Sequence, residues 1–87
     1  MNYKTHMTKS LFTLEYKYFR SLIVAAREKS GMSQADVSAR LGRPHSFVSK
    51  YESGERRLDV VEFIQICMVL EVDPQVIVAA VQAKVVS

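Results

Sequence analysis

The segment Pro44-His-Ser-Phe-Val-Ser-Lys-Tyr-Glu-Ser-Gly54 gathers the side chains best suited to chemistry in this sequence. At a helical step of about 100° per residue, His45, Ser49, Ser53, Ser46 and Lys50 share an arc of about 140°. Phe47, Val48, Tyr51 and Glu52 fill the other side. The first face is short-chained, basic at one edge and free of Asp and Glu. Serine hydroxyls donate and accept, lysine only donates, and histidine does either according to its tautomer. Such a face bonds to nucleobase edges without repelling phosphate. Arg43, Arg56 and Arg57 flank it. Phe47 falls at the border of the two arcs. Its position leaves open a thymine methyl or sugar contact and a place in the core. A solvated polar stripe is the plain alternative for any amphipathic helix. The tight-turn spacing upstream, the missing carboxylates and the Arg56-Arg57 turn weigh against it.

Other chemistries lack their residues. His6, His45, Cys67 and the acids stand at no spacing that suits a metal ligand set. A single cysteine excludes an internal disulfide, and Cys67 lies on an apolar stripe that suits core packing. No Ser-His-Asp set and no Gly-rich phosphate motif occurs, so neither a catalytic site nor a cofactor is expected.

The 87 residues suffice for one domain, and 48% apolar with 24% charged residues is a globular balance. Charge is unevenly placed. Residues 1–57 hold 11 Lys and Arg against 5 Asp and Glu, whereas residues 58–87 hold Lys84 against Asp59, Glu62, Glu71 and Asp73. That asymmetry points to a polyanionic partner on the N-terminal side. The longest apolar run, Val76 to Val81, is too short for a bilayer, and the N-terminus has no secretory apolar stretch. A soluble chain of a reducing, cytoplasmic compartment is expected, with no membrane partner.

Five helices must position these residues. The first is predicted over about Leu14 to Lys29, capped by Thr13, with Phe12, Tyr16, Phe19, Ile23 and Ala26 facing inward and Gly31 ending it. Ser33 and Asp36 form a capping-box-like start to the second, which runs to Leu41 with Val37 and Leu41 inward. Ser38 is small where two helices must cross, and a Cβ at Gly42 should push them apart. The third helix starts near Pro44 and ends at Ser53-Gly54. Asp59 and Glu62 open the fourth, whose inward stripe is Val60, Phe63, Ile66, Cys67 and Leu70. Asp73-Pro74 starts the fifth, which runs to Val81 or slightly beyond. Two short helices joined by a tight turn, about 33–53, make a helix-turn-helix. Residues 1–12 read as an N-terminal arm and 13–87 as the folded domain.

From about Leu22 to Val78 the chain resembles the Cro/lambda-repressor-like helix-turn-helix family, also called the XRE family. The matching residues are Arg27-Glu-Lys-Ser-Gly-Met-Ser-Gln34, Leu41-Gly42 and the Pro44 to Gly54 segment. The resemblance implies an all-α, five-helix lambda-repressor-like domain whose second and third helices bind double-stranded DNA. It implies a transcriptional regulator of prokaryotic or viral origin, acting as a repressor on a two-fold operator. It assigns base reading to His45, Ser46, Ser49 and Lys50, with Lys50 suited to guanine O6 and N7. Gln34, with the backbone N–H groups at the start of the second helix, takes a phosphate-clamping role, and Arg43, Arg56 and Arg57 become phosphate candidates. Arg27 and Glu52 become a structural ion pair bridging the first and third helices. Glu55 departs from the pattern, standing where the family often has a basic residue.

A homodimer is expected, since one short reading helix spans few base pairs. Val61, Ile64 and Met68 form a second apolar stripe on the fourth helix, and Val76, Ile77 and Val81 lie on a last helix apolar almost all round. The alternative is an antitoxin or adaptor whose apolar C-terminal helices bind a partner protein, with DNA binding as autoregulation.

Overall fold

Two capping boxes fix where the central helices begin. Asp36 N donates to Ser33 Oγ at 3.0 Å and Ser33 N donates to Asp36 Oδ2 at 3.0 Å, so the chain turns helical at Gln34. Glu62 N donates to Asp59 Oδ1 at 2.7 Å and Asp59 N donates to Glu62 Oε1 at 3.1 Å, starting a helix at Val60. Each box satisfies two N–H groups that a helix start otherwise leaves unpaired. The computed structural model describes the backbone of residues 9–86 and the side chains of residues 14–85. Its helices are α1 (Lys9–Ser30), α2 (Gln34–Arg40), α3 (Phe47–Glu52), α4 (Val60–Leu70) and α5 (Pro74–Val86). The expected all-α, five-helix architecture is therefore present, with no strand among the described residues.

Three boundaries differ from expectation. α1 begins at Lys9 and runs through Thr13, which is no cap. No Gly or Pro interrupts 9–13, so nothing stops the helix there. Residues 9–12, read as part of an arm, are helical, while the rest of that arm and the Phe12 side chain lie outside the described residues. α3 begins at Phe47 rather than near Pro44, because a turn intervenes in which Phe47 N donates to the Pro44 carbonyl at 2.9 Å. α5 continues to Val86.

α1 packs on α3, α4 and α5, while α2 packs on α3 and α4. Ile23, Val37, Val48, Tyr51, Ile66 and Cys67 are each no more than 1% exposed and form the centre of the core. Phe19 meets Phe63 edge to face at 5.1 Å, joining α1 to α4. Burial pushes the Cys67 thiol up to about 11, as suits an inert packing residue. Val60, expected inward, is 71% exposed, since it lies at the edge of the α4 stripe and in its open first turn.

The turn between α2 and α3 fixes the angle of α3. Ser38 is buried, accepts the Val48 N–H at 3.2 Å and donates to the His45 carbonyl at 3.4 Å. Its small hydroxyl thus allows the close crossing and also ties α2 to the start of α3. Gly42 has φ +67°, and a Cβ there would meet nothing within 4 Å. The expected steric reason for this glycine is replaced by a conformational one: the left-handed backbone itself.

Candidate nucleic-acid interface

α3 is short, and its faces separate cleanly. Phe47, Val48 and Tyr51 are buried against the core. His45, Ser46 and Lys50 are exposed and Ser49 is half-buried, and no carboxylate stands among them. Ser46 is the N-cap residue but makes no side-chain capping bond. Ser49 Oγ donates to the Ser46 carbonyl at 3.0 Å, which keeps its hydroxyl within its own helix. Of the four residues expected to read bases on one helix, Ser49 and Lys50 lie on α3, whereas His45 and Ser46 stand in the turn before it; none of the four is buried.

Glu52 faces the opposite way and holds α3 to α1. Arg27 grips it in a fork, Nε to Oε2 at 2.7 Å and Nη2 to Oε1 at 3.0 Å. Arg27 Nη1 also donates to the Met32 carbonyl at 2.9 Å. Side-chain exposures of 13% for Arg27 and 6% for Glu52 make this a nearly buried pair, as expected of a structural brace. Arg20, which the sequence reading passed over, adds a bond from Nη1 to the Glu52 carbonyl at 2.9 Å. Its guanidinium lies against Gly54 (φ +86°), where a Cβ would approach Arg20 Cζ to 2.8 Å.

Two of the candidate backbone or edge contacts have partners within the domain. Gln34 Nε2 donates to Glu52 Oε1 at 2.9 Å, so its amide joins the brace between α1 and α3. Phe47 is 6% exposed and stands edge to face with Tyr51 at 5.4 Å. Its ring belongs to the core and to the underside of two arginines, and is not offered at the edge. Arg43 Cζ lies 4.5 Å and Arg56 Cζ 5.0 Å from its centroid, within cation–π reach.

Both of those arginines converge on Glu62. Arg56 pairs in a fork, Nη1 to Oε1 at 2.9 Å and Nη2 to Oε2 at 2.7 Å, while Arg43 Nη2 reaches Oε2 at 3.1 Å. The hydrogen bonds from Arg56 hold the Glu62 carboxyl down at about 2, against the cost of its burial. The expectation of Glu62 as a capping residue was correct but incomplete. Its two cationic partners arrive from separate loops, and no local spacing announces them. Arg57 stacks over the Tyr16 ring at 4.2 Å, and Tyr16 Oη accepts the Leu58 N–H at 3.1 Å. The cations expected at phosphates therefore line the two loops that flank α3.

Of the apolar residues expected at a subunit contact, Val61, Ile64, Met68 and Val76 are exposed. Ile77 is 8% exposed and belongs to the core, and Val81 packs partly buried against it, because α5 turns that side onto the body of the domain. Among the described residues there is no group of His, Cys, Asp and Glu able to hold a metal, and no helix long and apolar enough to cross a membrane.

The helix-turn-helix family model matches residues 23–77, the stretch from α1 into α5. A solved structure of an XRE-family like protein from Pseudomonas syringae pv. tomato str. DC3000 is similar throughout, at 40% sequence identity and a TM-score of 0.84. That similarity covers 91% of this chain and 96% of the other. No curated protein matches the chain. With five helices in a lambda-repressor-like fold and a matched segment spanning the α2–α3 turn, this chain belongs to the XRE helix-turn-helix family, whose modules bind DNA and regulate transcription.

Proposed function

We propose that the protein is a sequence-specific, double-stranded DNA-binding repressor that engages a two-fold operator as a homodimer. His45, Ser46, Ser49 and Lys50 read base edges in the major groove. Arg43, Arg56 and Arg57 contact phosphates and set the register of the helix on the duplex. The observation that carries this reading is the exposed, polar, carboxylate-free set of His45, Ser46 and Lys50 at α3 and the turn before it, between two arginine-bearing loops. Selection of bound sequences from random duplex DNA tests it. An inverted repeat recovered over random background is the expected result. Recovery of no sequence preference overturns base reading by this surface.

A second reading has support in the exposed apolar residues of α4 and α5, with Met68 at 72% and Val76 at 66%. An antitoxin or adaptor would cover them with a partner protein while retaining DNA binding for its own operon. Sedimentation separates the two: self-association of the purified chain favours the repressor dimer, and a monomer that gains mass only with a co-purified protein favours the adaptor.

A further inference from the structure

We propose that Glu62 is a positioning residue for DNA binding, holding Arg43 and Arg56 together as a two-guanidinium clamp for a backbone phosphate. The inference rests on the DNA-binding reading above and adds to it a residue that lies outside the reading surface.

Geometry carries the argument. Glu62 is 8% exposed, in the first turn of α4. Its Oε2 accepts from both arginines and its Oε1 from Arg56 and from the Asp59 N–H. Here two arginines, one from each loop flanking α3, meet at a single carboxylate oxygen, with the Asp59 carboxylate beside Arg56. Both side chains remain open to solvent, at 37% for Arg43 and 39% for Arg56. Arg43 makes one side-chain hydrogen bond among the described residues, so most of its five donors stay available. Phe47 lies beneath both guanidiniums and limits how they can turn. The Glu62 carboxyl, held at about 2, stays ionised wherever duplex DNA is intact. Arginines ordered in advance lose less freedom on binding phosphate than unrestrained ones.

Electrostatics alone gives the opposite sign, which makes the idea testable. Removing a carboxylate raises the positive charge and should tighten DNA binding. A positioning role requires that binding weaken. The experiment measures duplex affinity by fluorescence anisotropy over a range of salt for wild type and Glu62→Gln. Glutamine keeps the preferred side-chain type at that capping position. The same substitution is then made in a chain already carrying Arg43→Ala and Arg56→Ala. Expected is a loss of about five- to tenfold at low salt and a salt slope shallower by about one, with no further loss in the background lacking both arginines.

A folded Glu62→Gln variant that binds as tightly as wild type, or tighter, overturns the clamp. So does an equal loss in the background lacking the arginines. Should Glu62→Gln fail to fold, the two arginine variants carry the test. A clamp makes their combined loss smaller than the product of the single losses, and independent contacts make it equal. A wild-type chain that binds no duplex overturns the DNA-binding reading and the clamp with it, whereas a binding wild type matched by Glu62→Gln overturns the clamp alone.

Discussion

Lys50 and Arg57 are both exposed cations, yet their surroundings give them different work. Lys50 stands on the outer surface of α3, where a direct bond to a base edge is within the proposed reading. Its replacement by alanine should cost about 1–3 kcal/mol on the selected site and relax preference at one base pair. Arg57 lies over Tyr16 in the loop after α3, so Arg57→Ala should weaken all duplexes alike and flatten the salt dependence by about one unit. Competition assays with specific and scrambled duplexes distinguish the two, and an unchanged specific-to-nonspecific ratio in Lys50→Ala would remove Lys50 from base reading. Glu62 gives a prediction about acid. Its carboxyl is lowered from an ordinary 4.5 to about 2, chiefly by its hydrogen bonds from Arg56. A depressed folded-state value means its stabilisation is complete above about pH 4.5 and is lost as pH falls from there towards 2. Asp36 shifts in the same direction through the Ser33 backbone N–H. Urea midpoints followed down through that window should fall in wild type and fall less in Glu62→Gln. Parallel curves would show that the Glu62 bonds do not differ between folded and unfolded chains.

Between elements, the brace from α1 to α3 is the contact whose loss the domain tolerates least. Arg27→Ala leaves Glu52 nearly buried without its fork, and breaking a buried pair from one side costs roughly 3–5 kcal/mol. A large drop in melting temperature is expected. Loss of DNA binding in that variant would then report unfolding, which circular dichroism at the assay temperature checks. At the other end of the domain, α4 closes on Glu71, a non-glycine residue at φ 58° and ψ 43°. A Cβ in that region is strained, so Glu71→Gly should stabilise by about 0.5–1 kcal/mol in urea unfolding, and a destabilised variant would refute the strain. These elements also show what a sequence discloses. α2 and α4 start where Ser33-Asp36 and Asp59-Glu62 say, because a capping box is local chemistry. Thr13 misleads because a cap-type residue inside an unbroken helical run does not stop it. Pro44 misleads because a turn comes between it and the helix. Phe47 could not be assigned to core or edge from angle alone, and it took Arg43 and Arg56 above it to decide. The Gln34–Glu52 and Arg43–Glu62 bonds span 18 and 19 residues, and no periodicity reaches that far.

Across the whole molecule, charge and apolar surface divide along the chain. The basic excess belongs to residues 1–57, and the exposed apolar residues belong to α4 and α5. In the proposed dimer, α4 and α5 face a second copy while α3 meets DNA, with half-sites about 34 Å apart. Met68→Glu should therefore yield a monomer in sedimentation and bind a two-fold site far more weakly, while keeping wild-type affinity for a single half-site. A dimer that survives this change would place the contact elsewhere. The outer surface of α3 has one more consequence. The brace, the Ser38 tether and the Phe47 underlay all lie behind it, and no hydrogen bond or ion pair within the described chain involves the side chains of His45 or Lys50. If these residues read bases as proposed, a duplicated gene can exchange these letters one at a time and drift to a new target, with the scaffold melting where it did before.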